Sequence, residues 1–192
     1  MIVREEQVLN IANPIYQEII PRELTYVTQI NFAANYKPGW YINEAGQLEM
    51  EKLLGAFQQF FREHSESWVE RFQYKEAGPQ LLLQAFLQRI INSGGHIHRE
   101  YGLGRQRTDL LLVWPYGDEA VQRVVIELKI QHKSLEQTLE TGLRQTAAYM
   151  DKTGTADGHL IIFNRDPAVA WAEKIFRREE AQGDYQIVVW GM

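Results

Sequence analysis

The chain contains no cysteine, which removes disulfide staples, thiolate zinc sites and a cysteine nucleophile together. That absence fits a reducing compartment, and a cytoplasmic location is expected. Long apolar runs are missing too, since no stretch approaches the roughly 18 residues that a membrane-spanning helix needs. The opening MIVREEQVLN has neither a basic n-region nor an apolar h-region, so no secretory signal is expected. No G-x-x-x-x-G-K-[ST] occurs, which excludes ATP binding through a P-loop of this sequence. An excess of positive charge is also lacking. Twenty Lys and Arg stand against 25 acidic residues, for a net −5, which argues against a protein that coats nucleic acid nonspecifically.

What is present describes an ordinary globular chain. Its 192 residues, 45% of them hydrophobic, suit one or two domains with a real core. The acidity is uneven. Residues 1–76 carry 7 basic and 11 acidic side chains, and residues 77–192 carry 13 and 14. Between 89 and 107, Arg89, Arg99, Arg105 and Arg107 oppose Glu100 alone, which makes a basic stretch.

The N-terminal part reads as helices and loops. Asn13 and Pro14 suit the cap and first position of a helix over NPIYQEIIPREL. Residues 35–46 are rich in turn formers, and QLEMEKLLGAFQQFFREH spaces its apolar residues for a helix. A second helix, PQLLLQAFLQRIINSGG, is apolar almost all round and ends at Gly94-Gly95. The apolar period then shortens to two. Strands are predicted over 96–102, 107–115 and 122–130, followed by a helix capped by Ser134 and closed by Gly154. A strand over 159–165, a helix over AVAWAEKIFRREEAQG and a strand over YQIVVWG complete the chain. The order from residue 79 is α, β, β, β, α, β, α, β. We expect a helical segment over 1–66 and a mixed α/β domain over 67–192.

Chemistry concentrates in the two central strands. Pairing Trp114 with Gln122 sets Asp109 opposite Glu127, and alternation joins Leu111, Val113, Val125 and Lys129 to that face. The other face is Leu110, Leu112, Trp114, Val124, Ile126 and Leu128, all apolar. Two carboxylates side by side raise a pKa or demand a cation, and burial costs several kcal/mol unless they pair or bind a metal. Hard oxygen donors without thiolate favour Mg²⁺ or Mn²⁺. A cross-strand charge cluster on a solvated sheet face is the plainer reading of these residues.

RTDLLLV…RVVIELKI resembles the Asp…Glu-x-Lys signature of the PD-(D/E)xK nuclease superfamily, whose restriction-endonuclease-like core has the order αβββαβ around a mixed sheet. QTAAY resembles the Gln-x-x-x-Tyr motif of its repair-exonuclease-like branch, and GRQRTD its Gly-Arg-x-Asp lead-in with an insertion. LNIANPIYQEIIPRELT is similar to the segment that follows the motor in prokaryotic AAA-type ATPases with a C-terminal nuclease-like domain. The resemblance implies a deoxyribonuclease domain, Mg²⁺ or Mn²⁺ as cofactor, DNA as partner and an upstream ATPase module. It also implies roles. Asp109, Glu127 and the Leu128 backbone carbonyl would hold the metal, Lys129 would act on the attacking water or the phosphate, and Gln145 and Tyr149 would steady the site. The superfamily often adds a Glu on the first helix, where this chain has Gln80 and Gln84. Glu76 and Glu100 are the candidate substitutes.

Other residues admit blander readings. Arg99, Arg105 and Arg107 are candidate phosphate contacts, although Arg107 is equally placed to pair with Asp109. His96 and His98 share a strand face without a third ligand at suitable spacing, and the five Trp residues read as core or caps. A nuclease-fold module acting only in DNA binding or protein interaction is the competing expectation. Homo-oligomerisation stays open.

Overall fold

The structure, a computed structural model, describes residues 2–5, 8–11, 39–69, 77–91, 94–103, 106–132 and 134–192. It divides into two compact units, Met1–Trp40 and Tyr41–Met192. In the first, β1 (Ile2–Glu5) pairs antiparallel with β2 (Val8–Ile11), with Ile2 opposite Ile11 and Glu5 opposite Val8. The sequence reading of this segment is helices and loops, with no strand. The β-branched Ile2, Val3, Val8 and Ile11 favour extended pairing instead. The helix expected after Asn13 lies outside the described residues.

The second unit carries α1 (Met50–Val69), α2 (Ala77–Ile91), β3 (His96–Leu103), β4 (Gln106–Tyr116) and β5 (Ala120–Ile130). After these come α3 (Leu135–Thr153), β6 (Asp157–Phe163), the single-turn α4 (Trp171–Lys174), β7 (Phe176–Gln182) and β8 (Tyr185–Gly191). Among the described residues the strands form one mixed sheet of six in the order β3-β4-β5-β6-β8-β7. β3, β4 and β5 are an antiparallel meander, β5–β6 and β6–β8 are parallel, and β7 returns antiparallel to β8. The parallel step from β5 to β6 needs a crossover, and α3 supplies it.

The register matches the sequence expectation. Trp114 faces Gln122 and Leu110 faces Ile126. Each sheet face therefore receives its own helix layer. On one face Leu143, Tyr149 and Met150 of α3 pack with Leu111, Val125, Leu160 and Ile162. On the other, Leu110, Leu112, Val124, Ile126 and Ile161 are buried. There Phe61 of α1 meets Phe163 of β6 at 5.2 Å, and Phe57 meets Phe86 of α2 at 5.4 Å between ring centroids.

α3 is delimited as its sequence requires. The Ser134 hydroxyl accepts a hydrogen bond from the Gln137 backbone N–H at 3.3 Å, and Gly154 closes the helix at φ +64°. A partly buried polar chain docks residues 41–48 onto the sheet. Gln122 exchanges hydrogen bonds with the Leu48 backbone at 2.8 and 3.1 Å and donates to Asp157 at 3.1 Å. Asp157 holds His159 Nε2 at 3.0 Å, and His159 Nδ1 accepts from Trp190 Nε1 at 3.2 Å. That arrangement places the His159 proton on Nε2.

Two expectations need correction. The predicted helix over 168–183 is only Trp171–Lys174; FRREEAQ forms β7 instead. Glu, Arg, Ala and Gln are good helix formers, but seven β8 partners and a two-residue turn at Gly183 (φ +61°) override that propensity. The boundary expected between 66 and 67 falls inside α1. That helix belongs to the sheet unit because Leu53, Leu54, Phe57, Phe60 and Phe61 are buried and Gln58 Nε2 donates to the carbonyls of Phe176 and Gly191. Among the described residues no helix is long and apolar enough to cross a membrane.

Candidate functional site

Three ionisable side chains meet where β4 begins and β5 ends. Alternation along the strands brings Asp109, Glu127 and Lys129 to the α3-side face, next to Leu111 and Val125. Asp109 Oδ2 accepts a hydrogen bond from the Leu128 backbone N–H at 2.8 Å. Its carboxylate thus continues the ladder between the two strands, which fixes its position.

Glu127 is 3% exposed. Its Oε1 is paired with the Lys129 ammonium, while its Oε2 is buried with no hydrogen-bond partner. Lys129 Nζ also donates to the Leu128 carbonyl at 3.3 Å. Burial, reinforced by the neighbouring Asp109 charge, pushes the Glu127 carboxyl up to about 7; Lys129 opposes both with a smaller effect. One carboxylate oxygen of a buried acid thus lacks a donor, although a cation stands beside its twin.

A cleft of about 270 Å³ opens beside this cluster. Pro79 and Gln80 of α2 line it with Asp109, Lys129, His132 and Phe163. It lies at the carboxyl ends of the parallel pair β5 and β6, where open α/β sheets bind their ligands. His132 was not singled out by sequence reasoning. The available signal was its place two residues beyond the end of β5, at the ligand edge of the sheet.

The expected site residues divide by location. Asp109, Glu127, Lys129 and the Leu128 carbonyl come together as anticipated. Gln145 and Tyr149 both sit on α3 but neither lines the cleft; Tyr149 is buried in the core with Leu111 and Val125. The Gln145 Oε1 is likewise buried without a partner. Four residues apart, the two were expected above the acids, but an aromatic ring gains most by filling the apolar layer between α3 and the sheet. Arg99 and Glu100 fall in β3 and Arg107 in β4, with side chains outside the described ones. Glu76 and Arg105 lie outside the described residues.

A hard cation would find two carboxylates, Asp109 of β4 and Glu127 of β5, the latter with an unpartnered oxygen, and the main-chain carbonyl of Leu128. Among the described residues no third His, Cys, Asp or Glu joins them in a metal-binding group. That donor set fits Mg²⁺ or Mn²⁺, which are bound through one or two carboxylates and complete their shells with water and substrate oxygens. The same set is too poor in nitrogen and sulfur for zinc. No family model, curated protein or solved structure matches the chain.

Proposed function

We propose that the chain is a metal-dependent nuclease domain of the PD-(D/E)xK type, hydrolysing DNA phosphodiester bonds as the C-terminal part of a larger, cytoplasmic AAA-type ATPase. The observation that carries this reading is the Asp109–Glu127–Lys129 cluster, with its unpartnered Glu127 oxygen, beside a cleft at the strand ends. The run α2-β3-β4-β5-α3-β6 supports the restriction-endonuclease-like core, because it repeats the αβββαβ order around a mixed sheet.

Asp109, Glu127 and the Leu128 carbonyl would hold Mg²⁺ or Mn²⁺, which would supply polarisation of the scissile phosphate and acidification of the attacking water. Lys129, already within reach of Glu127 and of that carbonyl, turns its ammonium to the phosphate oxygens and offsets the charge that gathers there. Asp109 stays in place through the Leu128 N–H. A DNA-binding module without catalysis is the second reading, favoured by the absence of a third acidic ligand among the described residues.

The two readings separate in one assay. Single- and double-stranded DNA are incubated with Mg²⁺ or Mn²⁺ and the wild type, Asp109→Ala or Lys129→Ala. The nuclease reading expects cation-dependent cleavage that falls by about a hundredfold or more in each variant, the scale of losing one preorganised electrostatic group. Cleavage that persists in both variants, or none with any divalent ion, rejects it.

A further inference from the structure

The cleft is lined by donors besides Lys129, which pairs with Glu127 and donates to the Leu128 carbonyl. Among the described residues, the two other polar side chains facing the cleft that can donate a hydrogen bond are Gln80, from the first turn of α2, and His132, from the connection between β5 and α3. They come from different elements, and Asp109 lines the same space. Pro79, Ile130 and Phe163 supply its apolar surface. A polyanion approaching two carboxylates needs donors that hold its neighbouring phosphates, because such contacts set register and orientation along the chain. His132 is exposed, so an arriving strand reaches it without displacing core side chains. An imidazole offers an N–H donor in either protonation state.

We infer that His132 is a substrate-contacting residue of this cleft, which with the Gln80 amide holds the phosphate adjacent to the one presented to Asp109. This rests on the nuclease reading for the identity of the strand, and not for the contact itself. His132 accordingly governs how tightly nucleic acid is held, whereas Asp109 governs the chemistry. The two residues contribute to different kinetic constants.

Two arms test it on the full chain. In the first, binding of a labelled single-stranded or duplex oligonucleotide is measured by fluorescence anisotropy in Ca²⁺, which permits contact without requiring turnover. His132→Ala is expected to weaken binding about tenfold, the loss of one hydrogen bond to a charged group. His132→Gln, which keeps a donor, is expected to recover most of it. His96→Ala, at an exposed histidine of β3 away from the cleft, is expected to change nothing. In the second arm, steady-state cleavage in Mg²⁺ or Mn²⁺ is expected to show the His132→Ala effect in KM with kcat within about twofold.

Equal binding by wild type and His132→Ala overturns the inference. So does an equal loss in His96→Ala, which reports diffuse electrostatics. Cleavage with an unchanged KM in His132→Ala overturns it while the nuclease reading stands. A wild type that cleaves nothing, yet binds tenfold more tightly than His132→Ala, supports the inference while the nuclease reading falls.

Discussion

Glu127 carries most of the electrostatic cost of the site. Its carboxyl is buried against Asp109 and titrates at about 7, against 4.5 for an ordinary glutamate. The folded protein therefore keeps this proton through a range in which the unfolded chain has lost it. Its stabilising contribution is fully present below pH 4.5 and is lost as pH rises through about 7. At 1.36 kcal/mol per pH unit, the difference is about 3 kcal/mol at most. Glu127→Gln, which is neutral throughout, is expected to abolish that decline. Urea denaturation at pH 5 and pH 8 checks it: a wild type equally stable at both, or a variant with the same decline, contradicts the assignment. Asp109 and Lys129 were legible in the sequence because alternation along two strands leaves few choices of face. His132 was not, because a residue in a connection has no periodicity to place it.

α3 is positioned by close packing, and two glycines make this possible. A Cβ on Gly158 of β6 would lie 2.2 Å from Met150 Sδ of α3, and one on Gly142 of α3 would lie 2.6 Å from Leu160. Both contacts are at the α3–β6 interface, where the buried Met150 and Leu160 side chains would have to shift. Gly158→Ala is expected to destabilise the fold by about 1–3 kcal/mol through overpacking. Thermal unfolding measures it, and an unchanged midpoint would show that the interface is looser than described. Elements on this side were readable from residues such as Ser134 and Gly154, which mark the ends of α3 locally. β7 was not, because its helix-forming residues are extended only through pairing with β8 and the ion pairs of Arg177 with Glu51 and Glu179. Tertiary context outweighed local propensity there.

At the scale of the whole molecule, the domain containing the site is larger than its strand pattern suggests. α1 covers the sheet face opposite α3, and Leu53, Leu54, Phe57, Phe60 and Phe61 are buried in it. Each such side chain contributes about 1.5–3 kcal/mol, and a domain's net stability is about 5–15 kcal/mol. A chain beginning at residue 67 is therefore expected not to fold, and cooperative unfolding of that fragment by near-UV circular dichroism would contradict this. The sequence hid the boundary because the amphipathic spacing of 47–64 shows which helix face is buried, but not what it is buried against. The net charge of −5 changes meaning on the same scale. Two of its carboxylates, Asp109 and Glu127, are gathered at one sheet end beside Lys129, where the proposed metal ion would join them. Mn²⁺ titration by calorimetry near pH 7, in two buffers of different ionisation enthalpy, tests this most directly. The account predicts one site whose occupancy releases a fraction of a proton from Glu127, and which is lost in Asp109→Asn. Absence of Mn²⁺ binding, or equal affinity in Asp109→Asn, would contradict it.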